Sequence, residues 1–280
     1  MRLNSKPLPS EVFPKFSKTP LIETIFLSMK LYFLGTAGGR TVTFKRIRNS
    51  GGILLKAGRE LIHIDPGPGG FINFFSTPFE PWKDLTAVVL SHLHLDHSAD
   101  ANSILESATE SGKRKGVKLL APKDALFGES RVVLPYIQNL VEVETLKEFE
   151  SYKLKEVTLK VLHKHRHHRV EVYSLLFEWE GKRVVYVPCG KFESYWLDFL
   201  PEGVELMIFN STFYTKREDI DHLSIPDVVE ILKIKKPKKA VITHYSLEML
   251  TRNPVKVAKE VSSLTGVETL PAQDLMVLEI

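Results

Sequence analysis

The sequence predicts an α/β protein in which two β-sheets are covered on their outer faces by helices. Three observations carry this expectation. Short apolar runs such as Ala87-Val88-Val89-Leu90 and Val184–Val187 recur along the chain and read as buried strands. Strands alternate with helical stretches in both halves, which is the pattern of sheets with helices packed outside them. Asp65, His92–His97, Cys189 and His244 each follow directly after an apolar run, so polar loops converge where strands end.

Taken in order, Lys30–Leu34 is a strand, and Gly35-Thr36-Ala37-Gly38-Gly39 is a flexible turn. Gly52–Leu55 and Glu60–Ile64 are the next two strands. Asp65-Pro66-Gly67-Pro68-Gly69-Gly70 is a sharp turn rich in backbone freedom. A helix follows over Asn102–Ser111, then a strand at Lys118–Ala121. Val157–Leu162 and Tyr173–Glu180 form a hairpin pair, and Val184–Val187 and Leu206–Phe209 are buried strands. Ser224 caps a helix whose first turn holds Pro226 and Asp227, the latter facing the positive end of the dipole. Ala240–Thr243 returns as a strand ending at His244. The last helix opens at Asn253-Pro254 and stops near Gly266. Residues 1–28 carry four prolines and no clear period. They are expected to form an extension, ahead of one domain over residues 29–280.

The 280 residues are 43% hydrophobic and 26% charged, an ordinary globular composition with length for a large core. A net charge of +4 does not by itself indicate nucleic acid, though it would not repel an anionic substrate. Cys189 is the single cysteine, which excludes an internal disulfide and fits a reducing, cytoplasmic setting. No secretory signal is expected. The apolar stretch Leu21–Met29 contains Glu23 and is too short to cross a bilayer. Glutamine occurs only at Gln138 and Gln273, while lysine and glutamate are plentiful, a weak sign of a heat-loving source. A homodimer is compatible with all of this.

The run Ser91-His92-Leu93-His94-Leu95-Asp96-His97 gathers three imidazoles and a carboxylate within six positions. Both groups suit zinc, and also manganese or iron. In an extended segment His92 and His94 share one side, while Asp96 and His97 turn toward a second point. One loop can thus serve two adjacent ions. His63 lies inside an apolar strand and reads as a hydrogen-bonded core histidine. Asp65 reads as a carboxylate that holds a ligand in place rather than as a ligand. In His163-Lys164-His165-Arg166-His167-His168, alternation favours His163 and His165 on the face of Leu159 and Val161. Spacing to the following strand favours His168, with His167 next. His244, after a strand, is a candidate ligand. His222, just before a helix, is a candidate for contacting substrate or donating a proton. Lys113-Arg114-Lys115 and the lysines from Lys233 to Lys239 lack interleaved aromatics and read as solvated surface.

Together these residues resemble the metallo-β-lactamase superfamily of metal-dependent hydrolases, from about Met29 to Ser246. His92, His94, Asp96 and His97 reproduce its H-x-H-x-D-H motif; Asp65, His168–Ser174 and Thr243–Ser246 resemble further motifs. Leu34–Gly39 and Ile64–Gly69 look most like the phosphodiesterase branch, which includes RNase Z and small cyclic-phosphate diesterases. The resemblance implies an αββα sandwich of two facing mixed sheets with metals at one edge. It implies a first metal on His92, His94 and His168, and a second on Asp96, His97 and His244. Cys189 stands where that branch places a metal-bridging aspartate. It is read as a thiolate ligand, which would prefer zinc. RNase Z pairs a glutamate with a histidine; here Asn210 replaces the glutamate and is expected to orient His222. Only about twenty residues separate His168 from Cys189, which leaves no room for a tRNA-gripping arm.

The implied function is a hydrolase holding one or two zinc ions that attacks a small anionic phosphodiester with a metal-held hydroxide. Asp96 and His222 are expected to act in the reaction, with Arg169 and Lys191 as substrate contacts. Hydrolysis of a lactone, thioester or lactam is one alternative; a metal-binding protein with reduced catalysis is another. RNA processing is disfavoured, and no membrane partner is expected.

Overall fold

A computed structural model describes residues 28–280; the expected extension lies, apart from Ser28, outside the described residues. Fifteen strands follow one another: β1 (Met29–Phe33), β2 (Ile53–Ala57), β3 (Glu60–Ile64), β4 (Ala87–Val89), β5 (Lys118–Ala121), β6 (Glu142–Thr145), β7 (Ser151–Lys153), β8 (Thr158–His165), β9 (Val172–Trp179), β10 (Lys182–Val187), β11 (Leu206–Phe213), β12 (Leu223–Ser224), β13 (Lys239–Thr243), β14 (Glu268–Pro271) and β15 (Met276–Glu279). They form two mixed sheets. The first has the order β15-β1-β2-β3-β4-β5-β6; the second is β14-β13-β11-β10-β9-β8-β7, with β12 added on β11.

Period-two alternation builds the layers. In β10, Val184 and Tyr186 enter the core between the sheets, whereas Val185 and Val187 face the outer helices. In β3, Ile62 and Ile64 face inward, and Leu61 faces the helical layer on the other side. The outer layer of the second sheet is carried by helices Ile225–Lys235 and Pro254–Thr265, through Val228, Ile231, Leu232, Val257 and Val261. Helix Ala101–Ala108 covers the first sheet with Ile104 and Leu105. The expected αββα sandwich is therefore the observed fold.

The expected caps are present. Asp227 Oδ2 accepts the Ser224 N–H at 2.9 Å and its hydroxyl at 2.6 Å. Asn253 Oδ1 accepts the Val255 N–H at 3.0 Å, and the last helix ends at Gly266 in the left-handed region. The strands absent from the sequence reading are β6, β7, β12, β14 and β15. Among the described residues, no helix is long and apolar enough to cross a membrane.

Strands β3 and β4 are parallel, as are β10, β11 and β13, and β8 runs in the sense of β10 through antiparallel β9. The loops that follow them therefore gather at one edge of the sandwich. A bridge between Ala37 and Tyr245 ties the two sheets together there. Two glycines permit the close packing. A Cβ at Gly38 would run into the His244 backbone, and one at Gly67 into the Asp96 carbonyl.

Candidate metal centre

Asp65 follows directly after β3 with φ of 51°, a strained value for a residue other than glycine. The strain aims a buried carboxylate at four donors. Oδ1 accepts the Ser91 N–H at 2.6 Å; Oδ2 lies 2.6 Å from the Ser91 hydroxyl, 2.8 Å from the Tyr186 hydroxyl and 3.0 Å from His97 Nδ1. Its oxygens are thus engaged in holding other groups, as the sequence reading expected.

The same bonds fix the protons on the neighbouring rings. Ser91 gives its one hydroxyl hydrogen to Asp65, so its oxygen accepts from His92 Nδ1, 3.0 Å away. The lone pair of His92 then sits on Nε2, which is buried with no hydrogen-bond partner. His97 donates from Nδ1 to Asp65, which leaves its lone pair on Nε2. His167 donates from Nδ1 to the Asp221 carbonyl at 2.6 Å, and its Nε2 faces His94 Nδ1 at 3.1 Å.

Among the described residues the potential ligand atoms fall into five overlapping sets, two of which bring His222 together with His167 and His168 or with Cys189 and His244; two adjoining groups can be drawn from the rest. His92, His94 and His167 form one, with their ligand atoms within 4.8 Å of one another. Asp96, His97 and His244 form the second, and Cys189 joins both His244 and the pair His92–His97. In the second group His97 Nε2 lies 3.2 Å from His244 Nε2, and Asp96 Oδ2 lies 3.4 Å from His244 Nε2 and 3.6 Å from His97 Nε2. Cys189 Sγ is 3.5 Å from both imidazole nitrogens. Tetrahedral zinc with bonds of about 2.0–2.3 Å holds neighbouring ligand atoms roughly 3.3–3.8 Å apart. The donor set, its spacing and the unpartnered Nε2 of His92 all fit a divalent cation.

The electrostatics of the two groups differ. Burial, with repulsion from His97, holds the His92 ring well below its ordinary pKa, and burial lowers His167 to about 3. These rings are neutral donors of lone pairs. In the second group burial would lower His97, but Asp96, the Cys189 thiolate and Asp65 outweigh it and raise the ring well above its ordinary value. Burial opposes charge on His244 as well, yet Cys189 and Asp96 raise it to about 9. For Cys189, burial pushes the thiol up, and His244 and His97 overcome this and hold it well below the usual thiol range. This corner favours positive charge at its centre.

Residues 60–245 match the beta-lactamase superfamily domain. The chain belongs to the beta-lactamase superfamily. Its members are metal-dependent hydrolases, phosphodiesterases among them, and the fold implies a divalent metal. An uncharacterized protein of Methanocaldococcus jannaschii is 28% identical over 260 residues, covering 88% of this chain and 93% of that one. Ribonuclease Z of Sulfolobus acidocaldarius is 25% identical over 288 residues, covering 84% and 94% respectively. The metallo-beta-lactamase fold protein YhfI from Bacillus subtilis superposes with a TM-score of 0.74 at 20% identity, covering 90% of this chain and 99% of that chain.

Against this superfamily frame, several residues stand elsewhere than the sequence reading put them. His167, and not His168, is brought beside His92 and His94. His168 and Arg169 both take left-handed φ values, 44° and 66°, so the chain reverses there and leaves His168 exposed, 5.9 Å ring to ring from His94. Burial alternates from Leu159 through His165 to His167, and following that parity one step further would have selected His167. His163 and His165 leave the face of Leu159 and Val161. One extra residue between Val161 and Lys164 makes a bulge in β8, and beyond it the His165 ring stacks on Trp196 in the outer core while the His163 ring lies tilted against it. His165 also bonds the Cys189 carbonyl from Nδ1 at 3.0 Å and so shapes the loop that carries the thiol.

Asn210 makes no hydrogen bond to His222. Thr212 does: its Oγ1 lies 3.0 Å from His222 Nδ1 and 2.9 Å from His244 Nδ1. The sequence reading missed Thr212, although period two from Asn210 along β11 puts both on the same side. His222 itself is half-buried, 4.8 Å ring to ring from His167. Lys191 is occupied by the Glu218 carbonyl and carboxylate at 2.6 and 3.0 Å, whereas Arg169 is exposed. His63 is a core histidine bonded to the Gly51 carbonyl at 2.7 Å, as expected.

Proposed function

We propose that this chain is a zinc-dependent phosphodiesterase acting on a small anionic phosphodiester. The observation that carries the reading is the pair of adjoining ligand groups, whose nitrogens turn lone pairs inward because Ser91, Asp65 and the Asp221 carbonyl hold the protons on the other side of each ring. His92, His94 and His167 would hold one ion; Asp96, His97, Cys189 and His244 would hold the other. A soft thiolate favours zinc over manganese or magnesium. Such ions, when bound, lower the pKa of water toward neutrality and polarise a phosphoryl oxygen.

The protein's own part is positioning and proton placement. With Nε2 of His244 turned to the ligand group, its Nδ1 donates to Thr212, and the Thr212 hydroxyl donates to His222 Nδ1. His222 then keeps its hydrogen on Nε2, where the neutral ring offers a hydrogen bond to the leaving oxygen. Likeness to ribonuclease Z supports the phosphodiester bond. Three features support a small substrate over RNA. Between His167 and Cys189 the chain forms β9 and β10 and little else. Lys235, Lys238 and Lys239 are paired with Glu202, Glu205 and Glu268. The cleft of about 720 Å³ beside His167 sets Lys164, Arg166 and Arg169 against Asp124, Glu171 and Asp221, and so lacks the basic track of a single-strand groove.

The test is hydrolysis of an aryl phosphodiester by zinc-loaded protein. Turnover that His94→Ala abolishes supports the reading. Absence of turnover, or turnover on an aryl lactone alone, overturns it.

A further inference from the structure

Asn210 is 2% exposed and lies against the thiol of Cys189. Its amide orientation follows from its partners. The Tyr186 hydroxyl gives its hydrogen to Asp65, so its oxygen can only accept, and Asn210 Nδ2 is 2.9 Å from it. The amide nitrogen, and not the amide oxygen, therefore faces Tyr186. The same nitrogen lies 3.7 Å from Cys189 Sγ, so its second hydrogen is available to the sulfur.

We infer that Asn210 is a positioning residue that sets the Cys189 sulfur for a cation, and that asparagine at 210 and cysteine at 189 work as a matched pair. This rests on the reading of Cys189 as a ligand. Two carboxylates, Asp65 and Asp96, already crowd this corner. A carboxylate at 210 would add a third beside the sulfur and have no hydrogen to give. A neutral amide instead supplies a donor without adding charge. It also links the sulfur to the ring beside it, because Asn210 donates to Tyr186, Tyr186 to Asp65, and Asp65 holds His97, whose Nε2 is 3.5 Å from Sγ.

The test is a Co²⁺ titration of the full chain, following the thiolate-to-cobalt charge-transfer band in the near ultraviolet. The wild type is expected to show the band and Cys189→Ser to lose it. Asn210→Asp and Asn210→Leu are expected to keep a band that is shifted and weakened, with the apparent Kd for Co²⁺ raised about 10–100-fold, the range for groups that support a ligand. Asn210→Ala, with the same expected shift, serves where either variant fails to fold. A band of unchanged position and affinity in the folded Asn210 variants overturns the inference while leaving Cys189 a ligand. A wild type without the band overturns both, and so marks the failure of the underlying reading.

Discussion

One stretch of chain carries histidines with two different fates. His163 and His165 lie in β8, are buried against Trp196, and turn toward the outer helices. His167, two residues on, joins rings from a different sheet at the open edge. The residue type is the same and the burial is similar. What differs is the set of partners. Both nitrogens of His165 are satisfied, by the Cys189 carbonyl and the Ser174 hydroxyl, and His163 is enclosed by aromatic rings. His167 has one nitrogen fixed by a carbonyl and the other turned to a second imidazole. A histidine held on one side only can take a cation; one satisfied on both sides, or wrapped in rings, serves packing.

The contrast can be broken most directly at the ligand groups. His167→Ala and His94→Ala are each expected to lower zinc content and to cut aryl phosphodiester turnover by more than about 100-fold, beyond the range for residues that only steer a ligand. His168→Ala is expected to change turnover by less than about threefold. Elemental analysis and initial rates check both, and a larger loss from His168→Ala than from His167→Ala would reverse the assignment.

The packing histidines have the opposite signature. His165→Ala removes two buried hydrogen bonds and the stack on Trp196, and is expected to lower the unfolding free energy by about 3 kcal/mol. Denaturant unfolding measures it.

Acid sharpens the difference. Burial lowers His63 to about 4 and His163 to about 3, from an ordinary value of 6.5. Below 6.5 the unfolded chain takes up protons that these buried rings refuse, so stability is complete above that pH and falls as pH drops toward 4. Each ring contributes a slope of about 1.4 kcal/mol per pH unit. His163→Phe is expected to flatten the profile of unfolding free energy between pH 6.5 and 4 by one such slope.

An intermediate effect on turnover is expected at a residue that lies between the two kinds. Thr212→Val keeps shape and removes the hydroxyl shared by His244 and His222. Turnover is expected to fall about tenfold with zinc content retained, as rates and elemental analysis on one preparation would show.

The sequence was most readable where burial was deepest. β3 and β5 keep their expected bounds, because their apolar runs have no other place to go. β6, β7 and β15 were invisible because they are short and at sheet edges, mostly part-exposed or exposed and with no sustained apolar run. The candidate metal loop was legible because its potential ligands fall within six positions. His167 was passed over because spacing to the following strand was weighed above alternation, and the left-handed turn at His168 and Arg169 that spoils that spacing leaves no mark in composition. Thr212 stayed hidden, and Asn210 was given the wrong partner, for another reason: strand residues with ordinary side chains announce a role only through partners far away in the chain.

The ligand loops come from opposite halves of the sandwich. Asp96 and His97 follow β4 of the first sheet; Cys189 and His244 follow β10 and β13 of the second. A cation gripping all four would act as a rivet across the seam, present only when both halves are folded and in register. Its removal by a chelator would then loosen the joint between the sheets as well as silence the chemistry, since the bond energy that fastens the ion is shared with the fold.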